Sequence, residues 1–255
     1  MKISKLIDKI LFYLSVPKCI GCKKRLTANN FALCEECLSE YYNIKNRNCS
    51  LCSQHLYRCT CSNKYLDSHY IHKLIKVFRY VHRDQLPSNN LIYSLKRDNR
   101  KDVLEFLTNE LVDAIKNSVE DTENIIFTNV PRRRENVLKY GADHAALLAK
   151  SVAKSFSASY YQPIISKSKR EQKHMSGADR VKNARFEMKN RALDLKEKTV
   201  IIIDDIVTTG SSMGACAMLL HGLGAKKIIG AVVSIAYKDS YIPFNTDERF
   251  IPYKK

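Results

Sequence analysis

The chain has 255 residues, of which 45% are hydrophobic and 27% charged, an ordinary globular balance that excludes wholesale disorder. Lys and Arg number 43 against 26 acids, a formal charge of +17, and residues 1–100 hold 18 basic against 7 acidic side chains. Such an excess fits either a polyanionic partner or simple abundance of Lys and Asn.

Ile3, Leu6, Ile7, Ile10, Leu11 and Leu14 recur at helical spacing, with Lys2, Lys5 and Lys9 off that face, so residues 1–18 read as an amphipathic helix. The apolar run from Ile10 to Val16 is far short of the roughly 20 residues a spanning helix needs. No signal-peptide pattern is present either, and the product reads as cytoplasmic.

Eight of the nine cysteines lie between Cys19 and Cys61, as Cys19/Cys22, Cys34/Cys37, Cys49/Cys52 and Cys59/Cys61. Three pairs have the C-x-x-C spacing that lets two thiolates reach one ion from a tight turn. Zinc is favoured over disulfides, which a reducing compartment disfavours, and over iron–sulfur ligation. Cys59-Thr60-Cys61 is one residue short of the usual knuckle, and His55 is an alternative ligand there. Residues 19–65 therefore read as a double zinc ribbon holding two structural Zn²⁺ ions, which supply the folding free energy that a few apolar side chains cannot.

Residues 66–236 read as an α/β domain. Val103, Leu104, Leu107, Leu111, Val112 and Ile115 keep a helical period. Strands are expected at Ile125–Phe127, Ile164–Ile165, Thr199–Ile203 and Ile228–Ile235, with helices at Ala145–Phe156 and Ser211–His221. This alternation of near-continuous apolar strands with helices implies a parallel sheet covered on both faces. The polar stretch Ser166–Asn190 reads as a flap or a long surface loop.

The chemistry concentrates in residues 200–213. A buried strand carries Asp204 and Asp205 at its carboxyl end, the edge where open parallel sheets bind ligands. Thr208-Thr209-Gly210-Ser211-Ser212 then turns into a helix, aiming N–H groups and hydroxyls at one small volume beside the positive end of the dipole. Four hydroxyls in five residues exceed what capping needs. No G-x-x-x-x-G-K-[ST] loop exists, so a P-loop is excluded. Acids one sugar away from a phosphate cradle suit a ribose 5-phosphate.

This segment resembles the binding motif of type I phosphoribosyltransferases, which hold 5-phosphoribosyl 1-pyrophosphate (PRPP). With the cysteine pairs in front, the chain resembles the ComF family of bacterial competence proteins, a double zinc ribbon joined to a phosphoribosyltransferase-like domain. Leu95-Lys96, Val130-Pro131 followed by Arg132, Arg133 and Arg134, and Gln172, Arg180, Asn183 and Phe186 match further family stretches. The family's Arg-Gly-(Phe/Tyr)-Asn-Gln is here Tyr140-Gly141-Ala142-Asp143-His144, with only the glycine kept.

The resemblance implies Mg²⁺ bound together with PRPP. Asp204 and Asp205 would be the catalytic pair on the ribose hydroxyls, Thr208, Thr209, Gly210, Ser211 and Ser212 would hold the 5-phosphate, and Arg132 is a candidate for the pyrophosphate. It further implies single-stranded DNA and DNA-uptake proteins as partners; the basic front half points the same way, with Lys23, Lys24 and Arg25 beside a cysteine knuckle as phosphate contacts and Tyr41, Tyr42 and Tyr57 available for stacking. Turnover on an unidentified base is the alternative. The tail, residues 237–255, carries no readable function.

Overall fold

The computed structural model describes residues 17–27, 31–49, 51–80, 86–167, 185–189 and 193–236. The expected N-terminal helix, Gln172, Arg180, Asn183 and the tail lie outside the described residues. Among the described residues there are seven strands: β1 (Ile71–Arg79), β2 (Ile125–Asn129), β3 (Ser159–Tyr160), β4 (Ile164–Ser166), β5 (Phe186–Met188), β6 (Thr199–Val207) and β7 (Lys227–Ile235). The α-helices are α1 (Glu35–Lys45), α2 (Lys64–Asp67), α3 (Pro87–Arg97), α4 (Lys101–Lys116), α5 (Arg134–Tyr140), α6 (His144–Ser155) and α7 (Ser211–Gly222).

Five strands form one parallel sheet in the order β1-β7-β6-β2-β3. The expected strand at Ile164 is not part of it. It pairs antiparallel with β5 as a separate hairpin, so the stretch read as flap or loop contains a short strand. β6 is central, and its side chains alternate between two cores as a doubly covered strand requires. Ile201 and Ile203 enter the core made with α4 and α6, whereas Val200 and Ile202 enter the one made with α7. β6 extends to Val207, so Asp204 and Asp205 lie within its last turns of pairing rather than beyond them.

The two leading C-x-x-C knuckles are built alike. Cys19 N–H donates to Lys24 O and Lys23 N–H to Cys19 O (2.8 and 3.0 Å), while Cys49 N–H donates to Gln54 O and Ser53 N–H to Cys49 O (2.7 and 2.8 Å). Lys23 and Ser53, four residues after the first cysteine of each knuckle, both take a left-handed backbone, φ 65° and 58°. The sulfurs gather as Cys19, Cys22, Cys34, Cys37 and as Cys49, Cys52, Cys59, Cys61, each set within 4.8 Å. His55 belongs to neither set, and its Nδ1 donates to Asn46 O at 2.6 Å.

Neither sulfur set stands on a core of its own. Cys19, Ile20, Leu33, Cys37 and Tyr41 pack with Phe78, Leu91 and Leu107 on one side of the sheet, and Cys49, Leu56, Cys59 and Leu66 pack with Ile71, Leu74 and Val232 on the other. The cysteine segment thus straddles edge strand β1, and Leu74 N–H donates to Thr60 O at 2.9 Å, giving the edge a partner. Tyr41 is fully buried, and its hydroxyl donates to Glu110 at 2.6 Å, beside the Lys45–Glu110 ion pair at 2.6 Å. It is therefore a core residue, not a stacking surface.

Four sulfurs at this spacing are the donor set that tetrahedral zinc takes. Around the first set, burial opposes ionisation of Cys19, yet hydrogen bonds from Cys22 and Cys34 bring its thiol down to about 7. In the second set, the hydrogen bond from Cys59 brings Cys49 down to about 4 against burial. Elemental analysis is expected to give two zinc ions per chain. Chelation should lower the melting temperature of the whole protein in one transition, because both sets share the main cores. A separate early transition that leaves the main one unmoved would contradict this.

Candidate functional site

The acidic pair sits at the carboxyl edge of the sheet. Asp205 is buried, and its carboxylate lies 3.0 Å from Lys96 Nζ, at the end of α3, and 3.1 Å from Arg132 Nη2, just after β2. Burial alone would raise its pKa, but Lys96 and Arg132 hold it below the ordinary carboxylate range. Asp204 is partly exposed; burial and then the Asp205 charge push its carboxyl well above that range. Asp204 Oδ1 accepts the Asp205 N–H at 2.8 Å. The two adjacent acids thus differ in setting: Asp205 is anchored by two basic side chains, whereas Asp204 is partly exposed at the sheet edge.

Arg132 is fixed from several sides. Its Nη1 lies 3.0 Å from His144 Nδ1. A guanidinium only donates, so Nδ1 accepts, and the opposite ring nitrogen donates to Asn99 Oδ1 at 2.7 Å. Asn99 Nδ2 donates in turn to Tyr140 O at 3.1 Å, from a left-handed backbone with φ 49° that asparagine tolerates. The Arg132 N–H donates to Asp143, which also caps α6 by accepting the Ala146 N–H at 3.2 Å. The guanidinium stands 5.6 Å from the Tyr140 ring centroid.

The segment Tyr140–His144 is therefore the frame that aims Arg132 at Asp205. Sequence reasoning gave no role to Lys96, Asn99, Asp143 or His144. The readable signals were an Asp–Asn turn after α3 and an Asp immediately before an alanine-rich helix.

The turn from β6 to α7 does not present all four hydroxyls equally. Thr209 and Ser211 are buried; Thr209 Oγ1 donates to Ser211 Oγ at 3.0 Å and accepts the Ser211 N–H at 3.3 Å. This pair shapes the turn, while Thr208 and Ser212 are partly exposed. Gly210, the N-cap of α7, holds φ 85° and offers no side chain, so Thr209 satisfies the first N–H and the following turn presents backbone groups at the carboxyl edge of the sheet. Arg133 pairs with Glu135, and its Nη1 is buried without a partner among the described residues.

Comparison with known proteins falls on this region. Residues 142–251 match the profile of the phosphoribosyl transferase domain, a span that contains β6, the turn and α7. The C-terminal part of the chain is a phosphoribosyltransferase-like domain. Ribose-phosphate pyrophosphokinase 2 of Archaeoglobus fulgidus is 35% identical over 54 residues, 21% of this chain and 20% of that protein. The ribose-phosphate pyrophosphokinase of Thermococcus kodakarensis is 47% identical over 49 residues, 19% of this chain and 18% of that protein. The chain thus spans about a fifth of the length of these curated relatives. An adenine phosphoribosyltransferase structure from Leishmania tarentolae aligns with 60% of this chain and 78% of its own, at 10% identity and a TM-score of 0.37. The five-stranded parallel sheet with its flanking helices contains the start of the matched span and is preceded by the two four-cysteine sets.

His144 is fully buried, and its pKa is lowered to about 4 by burial and then by Arg132. That value lies below the ordinary 6.5, so the unfolded chain takes up the proton first as pH falls. The stabilisation is complete above pH 6.5 and is lost as pH falls towards 4, at most about 3 kcal/mol. His144→Gln keeps an acceptor for Arg132 and a donor for Asn99 but cannot titrate. Denaturant melts between pH 7 and pH 4 are expected to show a shallower loss of stability in this variant; equal slopes would assign the pH dependence elsewhere.

Proposed function

We propose that this chain binds PRPP at the carboxyl edge of its sheet, as a phosphoribosyltransferase-like competence protein of the ComF type that acts in uptake or cytosolic handling of single-stranded DNA. One observation carries the binding reading. Two adjacent acids near the end of β6 lie just before the N-terminus of α7, and two basic side chains converge on Asp205.

In this reading Asp204 and Asp205 hold the two ribose hydroxyls. The backbone N–H groups of the turn, with Thr208 and Ser212, receive the 5-phosphate. Thr209 and Ser211 hold the turn in shape, and Gly210 keeps it open. Lys96 and Arg132 compensate Asp205 in the free protein and, when the ligand arrives, have a pyrophosphate to share. Mg²⁺ bound with PRPP would offset pyrophosphate charge. Transfer to a base is the second reading, favoured by the same acids: an anion beside C1 stabilises the positive charge that develops on the ribosyl ring as pyrophosphate leaves.

PRPP with Mg²⁺ is expected to raise the melting temperature of the full chain. Asp205→Asn removes an ionised acceptor worth about 1.5–3 kcal/mol, so affinity should fall roughly ten- to hundredfold. The same change strands Lys96 and Arg132 and destabilises the free protein, so affinity by calorimetry, not melting temperature, compares the variant. Wild type unmoved by millimolar PRPP would overturn the binding reading.

The single-stranded DNA reading is supported by a cationic aromatic patch on the cysteine segment. Exposed Arg58 is 5.5 Å from the Tyr57 ring centroid, and exposed His55 stacks on Tyr57 at 5.7 Å, with exposed Tyr42 on the same segment. Aromatic faces accept any base and basic side chains track phosphates. With about four phosphate contacts the log–log salt slope is expected near about −2.8, and Tyr57→Ala with Arg58→Glu should weaken binding. Absence of binding at low salt would leave the patch a solvated surface.

A further inference from the structure

The residues that pack against the phosphate turn come from the cysteine segment. Two positions after Cys61, Asn63 is buried at 5% exposure and bonds in two directions. Its Oδ1 accepts the Leu66 N–H at 2.8 Å and caps α2, and its Nδ2 donates to the Thr209 carbonyl at 3.4 Å. Leu66 is fully buried over Gly210, so close that a Cβ at position 210 would lie 2.7 Å from its side chain. Tyr65 and His69 take the matching place over Gly214, 2.9 and 3.1 Å from a Cβ there. Gly210 and Gly214 are one helical turn apart, and Gly214 N–H donates to Gly210 O at 2.8 Å. The absence of side chains at both makes the groove that α2 fills.

The other end of this short connection is fixed to the second sulfur set. Lys76, a buried residue of β1, donates to Cys61 O at 2.6 Å, and Thr60 O accepts from Leu74. Ser62 donates to Asp67, closing the connection on α2. Adjacent Cα atoms are about 3.8 Å apart, so a one-residue spacer between Cys61 and Asn63 has almost no slack. Displacement of Cys61 must move Asn63 or break its bond to Thr209.

We propose that Asn63 and Leu66 are positioning residues for the phosphate turn, and that through them the sulfur set Cys49/Cys52/Cys59/Cys61 regulates ligand affinity at Thr208–Ser212. With zinc holding the four sulfurs, the chain from Cys59 to Asn63 is anchored and the turn is held in its binding shape. Without it the thiols have no common partner, and the turn loses the contact that fixes Thr209 and Gly210. This regulation rests on the PRPP reading of the site. Linkage makes it reciprocal: whatever factor zinc adds to PRPP affinity, PRPP adds to zinc retention in that set.

The test uses the full zinc-loaded chain and Asn63→Asp, which keeps a good cap for α2 but removes the donor to Thr209. Hydrogen exchange without ligand is read at amides 208–214. Exchange there should quicken about tenfold in Asn63→Asp, and likewise in wild type stripped by a zinc-selective chelator, while zinc content of the untreated variant stays at the wild-type value. PRPP with Mg²⁺ should bind Asn63→Asp about tenfold more weakly, and should slow zinc loss from wild type more than from the variant. Unchanged exchange in both the variant and the stripped protein overturns the proposal whether or not PRPP binds. If wild type fails to bind PRPP, the exchange result alone decides the coupling, and the ligand reading falls separately. If PRPP binds both proteins equally, the positioning role is overturned and the ligand reading stands.

Discussion

A carboxylate taken out of water at the end of an apolar strand must be paired, and Asp205 imposes that requirement on everything around it. Lys96 comes from the end of α3 and Arg132 from the loop after β2, positions brought together only by the sheet order β1-β7-β6-β2-β3. Arg132 in turn needs an acceptor on its far side, so His144 is kept neutral and its second nitrogen is satisfied by Asn99. Asp143 ties the Arg132 backbone to the start of α6. Most of the polar groups between residues 96 and 144 that reach the sheet edge can be derived from one buried charge.

The same charge explains how the site can be stable when empty and receptive when filled. A buried anion without a ligand would be costly; two basic side chains offset it. On the proposed reading, an incoming polyanion would offer those side chains a second partner while Asp205 turned to hydroxyl donors. The turn at 208–212 is built on the opposite principle, with backbone groups at a helix N-terminus and two hydroxyls spent internally on its shape. The cysteine segment holds both halves. Lys18 O accepts from Arg100 beside the α3–α4 turn, and Asn63 reaches Thr209. Its two sulfur sets, one on each face of the sheet, read as clamps on the domain rather than a separate appendage.

Much of this was legible in the sequence where the signal is local. The helix after Gly210 and the β7 strand fall within a residue of expectation, and the strand before the acids starts where expected but runs on to Val207, because hydrophobic period and turn chemistry act over a few positions. Paired cysteines announced two sulfur sets. Contacts made across long separations were not legible. Arg132 and Asp205 are 73 positions apart, and nothing in either segment names the other. Tyr41 looks like Tyr42 in sequence, but only the structure shows that Glu110 receives its hydroxyl. Gly210 was read as room for a phosphate, and the structure adds that it is room for Leu66. β1 carries a buried lysine, which breaks the alternation that would mark the strand.

The central claim is that one site receives a ribose 5-phosphate by its acids and its turn, and a pyrophosphate by its basic side chains. Competition calorimetry on the full chain tests it most directly. Ribose 5-phosphate and Mg²⁺-pyrophosphate are each titrated alone and then against PRPP. The account predicts that both fragments bind more weakly than PRPP and that each displaces it. Fragments that bind without displacing PRPP, or PRPP binding no tighter than inorganic phosphate, would contradict it.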